Sequence, residues 1–198
     1  MTSFQHETRS RVAKYEGPIF SVFTDEVTMS NGRTAQRDVV QNKGAVGVVA
    51  LDEVGRVVLI KQYRHAVGQR LWELPAGLRD VQGEGLEVAA ARELAEEADL
   101  RAGRWHLLID LYTSPGFADE TIRIFLAREL TPVREDERYE RTDEEADLEI
   151  AWIDLDEAVA MISRGEITNA AAVGGLLAAA RARDEGWATL RPADTPAI

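Results

Sequence analysis

Residues 84–100 read EGLEVAAARELAEEADL and combine a helical apolar stripe with closely spaced glutamates. At about 100° per residue, Glu93 and Glu97 lie roughly 40° apart, on the side of the helix that also carries Leu94. Glu96 lies about 60° away, on the other side of Glu93. Like charges at these spacings repel, and they repel more strongly when they are partly removed from water. A divalent cation would relieve this repulsion, because hard cations such as Mg²⁺ prefer oxygen ligands.

The same glutamates also fit an ordinary glutamate-rich surface helix, so the rest of the chain has to decide between the two interpretations. With 198 residues, the chain is long enough for one domain with a small additional lobe. Its hydrophobic content of 45% and charged content of 29% are typical of a globular protein. The net charge of −12 argues against a surface for nucleic acid or anionic membranes. A small phosphorylated substrate still fits if metal ions and a few arginines reverse the local field.

Cysteine is absent from the sequence, which excludes disulfides, thiolate zinc sites and cysteine nucleophiles. The opening MTSFQHETRSRVAKYEG lacks the apolar segment of a signal peptide. No stretch approaches the roughly 18 apolar residues that a membrane-spanning helix needs. We therefore expect a cytoplasmic protein with no membrane and no nucleic-acid partner.

Turn and strand signals predict a largely β chain interrupted by helices. Asn31-Gly32 between two strand-like runs predicts a hairpin over residues 18–41, and a second hairpin is expected over residues 45–64. Further strands are expected at 71–75, 105–113, 121–128 and 148–154. Helices are expected at 84–100, after Asp156 as N-cap, and at 168–183. Residues 76–83 and 131–147 are predicted loops. This order predicts an α+β fold in which the glutamate helix packs on a mixed sheet.

Around the glutamate helix, the sequence resembles the Nudix hydrolase box, G-x5-E-x7-R-E-U-x-E-E-x-G-U, where U is aliphatic. Gly77 and Glu84 match its opening, and residues 92–97 (RELAEE) and Leu100 match its helix. There are two departures: six residues rather than five separate Gly77 from Glu84, and Asp99 stands where the box has glycine. The first lengthens a loop, and the second lies at a helix end where aspartate tolerates a left-handed turn. Neither departure removes a carboxylate.

The resemblance implies an α/β/α sandwich that cleaves a nucleoside diphosphate linked to another group, using two or more Mg²⁺ or Mn²⁺ ions. It assigns the metal ligands to Glu93, Glu97, Glu96 as an auxiliary ligand, and the carbonyl of Ala76. Arg92 is expected to pair with Glu84 or Glu96 and to organise the catalytic site.

Features outside the box resemble the ADP-ribose pyrophosphatase subgroup, and in particular its actinobacterial type. They are Pro115, fifteen residues after Leu100, and the motifs QYR (62–64), LWELPAG (71–77) and SPGF (114–117). The resemblance implies hydrolysis of ADP-ribose to AMP and ribose 5-phosphate by a homodimer. Residues 1–42 would be a dimerisation lobe exchanged between subunits, and residues 43–190 the hydrolase domain.

The subgroup resemblance also suggests five substrate-binding residues, four of which have a plainer alternative. Arg64 would contact a phosphate or ribose, or else form a surface ion pair. Glu73 and Glu120 would hydrogen-bond the adenine or the terminal ribose, or else face solvent. Arg37 would reach the neighbouring site across the dimer. Phe117 would stack on adenine or belong to the core.

The general base is expected outside the box, in the charged loop 131–147. By resemblance Glu145 is the best-matching base and Glu144 the alternative, while the plain interpretation is a solvated charge run. A loop can bring a base into hydrogen-bonding range only when substrate and metals are bound, and can exclude bulk water as it closes.

Two other functions stay open at this point. One is a broader pyrophosphatase that acts on nucleoside-diphosphate sugars or dinucleotides. The other is a non-catalytic sensor of ADP-ribose. The complete REL-x-EE set disfavours the sensor, because a binding module has no need to retain several metal ligands.

Overall fold

The computed structural model describes residues 6–141 and 147–198. These residues form two compact units. Unit 1 contains the chain up to Gly44 together with Tyr112–Thr121, and unit 2 contains Ala45–Leu111 and Ile122–Ile198.

Unit 1 is built on a three-stranded antiparallel sheet. In spatial order its strands are β1 (Glu7–Glu16), β2 (Phe20–Thr28) and β3 (Thr34–Asn42). Strands β2 and β3 form the predicted hairpin. Gly32 adopts a left-handed φ of 77° in its turn, and the Met29 amide donates to the Arg33 carbonyl at 2.8 Å.

Strand β1 was not predicted, because its sequence ETRSRVAKYE has no alternation of apolar and polar residues. All ten of its residues are exposed. The strand is held by its backbone pairing with β2 and by two 2.7 Å hydrogen bonds from the Arg11 guanidinium to Asp25. These bonds lower the pKa of Asp25 below its ordinary value. Backbone pairing can therefore form a strand that side-chain patterning does not reveal.

The remaining strands are β4 (Ala45–Ala50), β5 (Arg56–Arg64), β6 (Gln69–Glu73), β7 (Ala76–Leu78), β8 (Leu100–Tyr112), β9 (Thr121–Pro132), β10 (Glu149–Asp154) and β11 (Arg191–Pro192). The helices are α1 (Leu86–Ala98), α2 (Leu155–Ser163) and α3 (Ala170–Asp184). One sheet has the order β10-β5-β6, and the other has the order β11-β8-β9-β4-β7. Strand β4 is parallel to β9 and antiparallel to β7, so the larger sheet is mixed, as predicted.

Two cores lie on opposite faces of these strands. The first joins alternate β4 side chains to α1, and includes Val46, Val48, Ala50, Ala89, Ala90 and Leu94. The second joins the other β4 side chains to α2 and α3, and includes Val49, Leu51, Leu155, Ala158, Leu176 and Ala179. Because successive side chains of a strand point to opposite faces, a strand buried on both faces is almost wholly apolar. The α+β fold and its sandwich of helices around the sheets are therefore confirmed.

Strands β4 and β5 do not form the predicted hairpin. Their connection is closed by an isolated bridge between Leu51 and Val57 and by a 2.9 Å hydrogen bond from the Asp52 amide to the Arg56 carbonyl, and β5 then pairs with β6 and β10. Both segments are apolar enough for any buried strand, so local sequence does not distinguish a hairpin from two strands that enter different sheets.

The predicted N-cap of α2 was wrong by two residues. Asp154, not Asp156, caps this helix, and its Oδ1 accepts from the amides of Asp156 and Glu157 at 2.9 and 3.4 Å. Residues 76–78, predicted as part of a loop, form β7.

Within the described residues, no helix is both long enough and apolar enough to cross a membrane.

Candidate active site

Helix α1 presents two carboxylates on its buried face. Glu93 is 8% exposed and Glu97 is 4% exposed, and both share this face with Leu94 and Ala90. The helix contacts β4, β5 and β7. The spacing of i, i+3 and i+4 positions places the glutamates beside the apolar side chains that anchor the helix. The predicted partial desolvation of this pair is therefore observed.

Strand β7 lies directly against these carboxylates. The Ala76 amide donates to Oε2 of Glu97 at 2.8 Å. A side chain at Gly77 would overlap the Glu93 carboxylate, so this position needs glycine for close approach rather than for a special φ. The pairing of β7 with β4 fixes the backbone that meets both glutamates. The structure thus brings together Ala76, Glu93 and Glu97, three of the four residues expected to bind metal.

Arg92 joins the carboxylates that surround it. Its guanidinium contacts Glu93 at 2.6 Å, Glu96 at 3.2 Å and both carboxylate oxygens of Glu84 at 3.2 and 3.3 Å. The hydrogen bond to Glu84 is the main cause that raises the pKa of Arg92 above its ordinary value. Arg92 contacts both predicted partners, Glu84 and Glu96, and also Glu93. It ties the loop before α1 to the helix.

The fourth expected ligand, Glu96, is half-buried and engaged with Arg92. In the part of the chain that the structure describes, no three His, Asp or Glu side chains are arranged as they stand to hold a metal ion. The donor chemistry nevertheless fits a hard cation. Glu84, Glu93, Glu96 and Glu97 supply four carboxylates against the single guanidinium of Arg92, an excess of negative charge that favours Mg²⁺ or Mn²⁺.

Asp99, the departure from the box glycine, ends the helix in a left-handed conformation with φ 54° and ψ 36°. Its amide donates to the Leu94 carbonyl. Its Oδ2 accepts from Arg141 at 2.7 Å, and the Arg141 Nε–H donates to the Glu96 carbonyl at 2.9 Å. Aspartate therefore occupies the turn expected for glycine, with an arginine bound to its side chain.

In unit 2, Arg64 and Glu73 form a two-point ion pair with N–O distances of 3.0 and 2.7 Å. They are the last residues of β5 and β6, which pair in antiparallel register. Glu73 is buried, whereas the Arg64 side chain is 42% exposed. The plainer alternative for Arg64, an ion pair, is thus present. Glu73 does not face solvent.

Unit 1 contains the other three expected substrate residues. Oε1 of Glu120 accepts from the Asn42 side-chain amide at 3.0 Å, and its Oε2 accepts from the Thr113 hydroxyl at 2.5 Å. Phe117 is 59% exposed, so it does not belong to the core. Arg37 is exposed on β3 and donates to the Gln36 carbonyl.

Glu144 and Glu145 lie outside the described residues. Both neighbouring described residues have defined contacts. Arg141 contacts the C-terminal end of α1, and the Asp147 carbonyl accepts from Arg70 Nη2 at 2.6 Å. Of the predicted loop 131–147, residues up to Pro132 extend β9, and Glu135–Glu137 form a 3-10 turn.

Comparison with known families decides what this carboxylate helix is. The sequence model of the NUDIX domain matches residues 41–172, which is more than half of the chain. The chain belongs to the Nudix family. Gly77, Glu84 and helix α1 are its Nudix box, and the recognition made from sequence is confirmed.

Relatives and a solved structure agree with this assignment. The chain is 46% identical over 195 residues to an ADP-ribose pyrophosphatase of Mycobacterium tuberculosis, covering 98% of this chain and 92% of that protein. It is 33% identical over 170 residues to an ADP-ribose pyrophosphatase of Bacillus subtilis, covering 86% and 90%. A crystal structure titled ADP compounds hydrolase shares the Nudix fold, with a TM-score of 0.80 and 22% identity over 94% of this chain and 99% of that one. The chain is thus a Nudix hydrolase, a class that uses divalent metal ions.

Sequence reasoning missed the contact of Arg141 with the C-terminal end of α1. Arg141 is 42 residues from Asp99 along the chain, and neither residue carries a local signal of their contact. The sequence showed that Asp99 replaces the box glycine, but this departure did not identify a partner residue.

Proposed function

We propose that this Nudix hydrolase cleaves the diphosphate of ADP-ribose, releasing AMP and ribose 5-phosphate. The observation that carries the proposal is the 46% identity, over 98% of the chain, to a protein named ADP-ribose pyrophosphatase. The geometry of the box supports it, because the Glu93 and Glu97 carboxylates lie against β7, an edge strand of the larger sheet, and Arg92 joins Glu93 to two further carboxylates.

Glu93, Glu97 and Glu96, with the carbonyl of Ala76, would hold two or more Mg²⁺ or Mn²⁺ ions. When bound, such ions neutralise the diphosphate, orient it and increase the acidity of the attacking water. The protein's own contribution is positional: the Ala76 amide fixes Glu97, and Arg92 fixes Glu93 and Glu96. Because these carboxylates are already held in place, the site needs less reorganisation when substrate binds.

Arg64 and Glu73 support recognition of the ribose and phosphate groups. The two-point contact with Glu73 orients the Arg64 guanidinium, while 42% of the Arg64 side chain stays exposed. Arginine suits this task because its planar fork matches phosphate oxygens. Phe117 and Glu120 of unit 1 are proposed to contact adenine or the terminal ribose, and Arg37 to reach the site of a second subunit.

We also propose that residues 1–42 form a dimerisation lobe and residues 43–190 a hydrolase domain, and that two copies exchange the lobe. Large apolar side chains are exposed in this lobe at Val12, Tyr15, Ile19 and Phe20. Such a group indicates an interaction surface. Sedimentation equilibrium should give twice the chain mass; a mass of one chain at micromolar concentration contradicts the dimer.

A cytoplasmic location stays a prediction.

Glu145 is proposed as the general base, with Glu144 as the alternative. Glu145→Gln should lower kcat about 10²- to 10⁴-fold, the usual contribution of general acid–base catalysis, while Mn²⁺ affinity is largely kept. Steady-state kinetics and Mn²⁺ titration measure the two effects separately. Glu144→Gln, the matched neighbour, should lower kcat less. A larger loss in Glu144→Gln would move the base to Glu144, and full activity in both variants would place the base elsewhere.

The direct test of the function incubates the protein and Mg²⁺ with ADP-ribose, NADH, GDP-mannose, coenzyme A or diadenosine polyphosphates. AMP and ribose 5-phosphate should appear from ADP-ribose at the highest kcat/KM. Rapid turnover of another substrate without cleavage of ADP-ribose would favour the broader pyrophosphatase. Tight binding of ADP-ribose without any cleavage would favour the sensor.

A further inference from the structure

The C-terminal turn of α1 carries Glu96 and Glu97 and is followed by Asp99 in a left-handed conformation. The helix has no basic residue of its own in its last turn. Carbonyls in a last turn lack helical partners and favour a nearby cation. Arg141 supplies that cation from a distant part of the chain, and its Nε–H donates to the Glu96 carbonyl at 2.9 Å.

Asp99, the residue after the helix, is the second contact of Arg141. Asp99 has a φ of 54°, a left-handed conformation that is unfavourable for most residues other than glycine and is tolerated by aspartate and asparagine. Its Oδ1 is buried and has no hydrogen-bond partner within the described residues, whereas Oδ2 accepts from Arg141 at 2.7 Å. The Asp99 carboxylate therefore depends on Arg141 for compensation of its charge.

Both contacts act on the turn that positions a metal-binding carboxylate. Glu97 lies two residues before Asp99, and its Oε2 accepts from the Ala76 amide at 2.8 Å. A small shift in the end of the helix would displace Glu97 from β7. The Val133 amide also donates to the Asp99 carbonyl at 2.8 Å, which ties the same turn to the segment after β9.

We propose that Arg141 is a positioning residue for the Nudix box: its paired contacts with Asp99 and the Glu96 carbonyl hold the last turn of α1 so that Glu97 faces the metal site. In this chain an arginine–aspartate pair replaces the conformational ease of a box glycine. The proposal rests on the proposed function for its kinetic effects, but metal binding tests it independently of any substrate.

Mn²⁺ binding to the protein without substrate, followed by electron paramagnetic resonance, is the primary measurement. Arg141→Ala should weaken Mn²⁺ binding about tenfold or more, the usual effect of losing a group that orients metal ligands. It should lower kcat for ADP-ribose by a similar factor, with KM nearly unchanged. Arg141→Lys keeps the positive charge but not the planar guanidinium that makes both hydrogen bonds. Its Mn²⁺ affinity should lie between those of Arg141→Ala and wild type.

Asp99→Gly combined with Arg141→Ala separates this role from simple destabilisation. Glycine removes both the backbone strain and the carboxylate left without its arginine, so the double variant should recover most of the Mn²⁺ affinity. Arg134→Ala is the matched control, because Arg134 is an exposed arginine paired with Asp136 on the same segment. It should bind Mn²⁺ like wild type.

Wild-type Mn²⁺ affinity in folded Arg141→Ala would overturn the proposal. A double variant that binds Mn²⁺ no better than Arg141→Ala would overturn the part assigned to Asp99. If Arg141→Ala does not fold, Arg141→Lys provides the test, because lysine keeps the positive charge but cannot make both hydrogen bonds of the planar guanidinium. Mn²⁺ affinity equal to wild type in Arg141→Lys would then overturn the proposal. Failure of wild type to cleave ADP-ribose would leave the Mn²⁺ comparison intact and would count only against the proposed function.

Discussion

Glu97→Gln should remove nearly all hydrolysis of ADP-ribose while the protein stays folded. Glutamine matches the volume of glutamate and retains an oxygen to accept from the Ala76 amide, but it loses the negative charge at a position only 4% exposed. A bound cation contributes several kcal/mol to phosphoryl chemistry, so we expect kcat/KM to fall on the order of a thousandfold. Steady-state kinetics at saturating Mg²⁺, with circular dichroism of the variant, measure this.

Glu87→Gln is the matched control for this experiment. Glu87 lies on the first turn of the same helix and is exposed, and the same change of charge there should leave kcat/KM close to wild type. If folded Glu97→Gln keeps a kcat/KM within tenfold of wild type, that result would contradict a metal-binding role for Glu97.

Arg123→Met should lower the free energy of unfolding by about 3–5 kcal/mol, the largest stability effect that we expect. Arg123 contacts both carboxylate oxygens of Asp110 at 2.7 and 3.0 Å, and the side chains of the pair are 4% and 7% exposed. Arg123 also donates to the Thr195 and Pro196 carbonyls at 2.5 and 3.0 Å. Removing the guanidinium leaves a buried carboxylate whose remaining ion-pair contact is with Arg191 at 3.8 Å. Urea unfolding measures the change.

The double variant Arg123→Met/Asp110→Leu distinguishes charge burial from loss of packing. Replacing both members of a buried pair by apolar groups is often neutral or stabilising, so the double variant should recover most of the lost stability. A loss of under about 1 kcal/mol in Arg123→Met would show that Asp110 is better solvated than its burial indicates.

Much of the fold could be predicted because its signals are local. The Asn31-Gly32 turn, the helical stripe of α1 and the apolar run of β4 each depend on residues close together in sequence. Strand β1 and the separation of β4 from β5 could not be predicted, because both depend on which distant strand supplies the backbone partner. Local propensity does not contain that information.

The candidate site likewise combines features with local sequence signals and features that depend on distant segments. Helical spacing alone predicts that Glu93 and Glu97 share a face, and the box resemblance adds Ala76 and Arg92. The contact between Gly77 and Glu93 and the partnership of Arg141 with Asp99 depend on the packing of distant segments. The aspartate in place of glycine indicated an unusual helix end, but it could not identify the residue that stabilises it.

The most direct test of the central claim is competition between ADP-ribose and GDP-mannose in one reaction with wild-type protein and Mg²⁺, with Glu97→Gln in parallel. The relative consumption of the two substrates gives the ratio of their kcat/KM values under identical conditions. We predict that ADP-ribose is consumed first, that AMP and ribose 5-phosphate form in equal amounts, and that Glu97→Gln consumes neither substrate. Consumption of GDP-mannose before ADP-ribose would contradict this account. So would Glu97→Gln consuming ADP-ribose as fast as wild type.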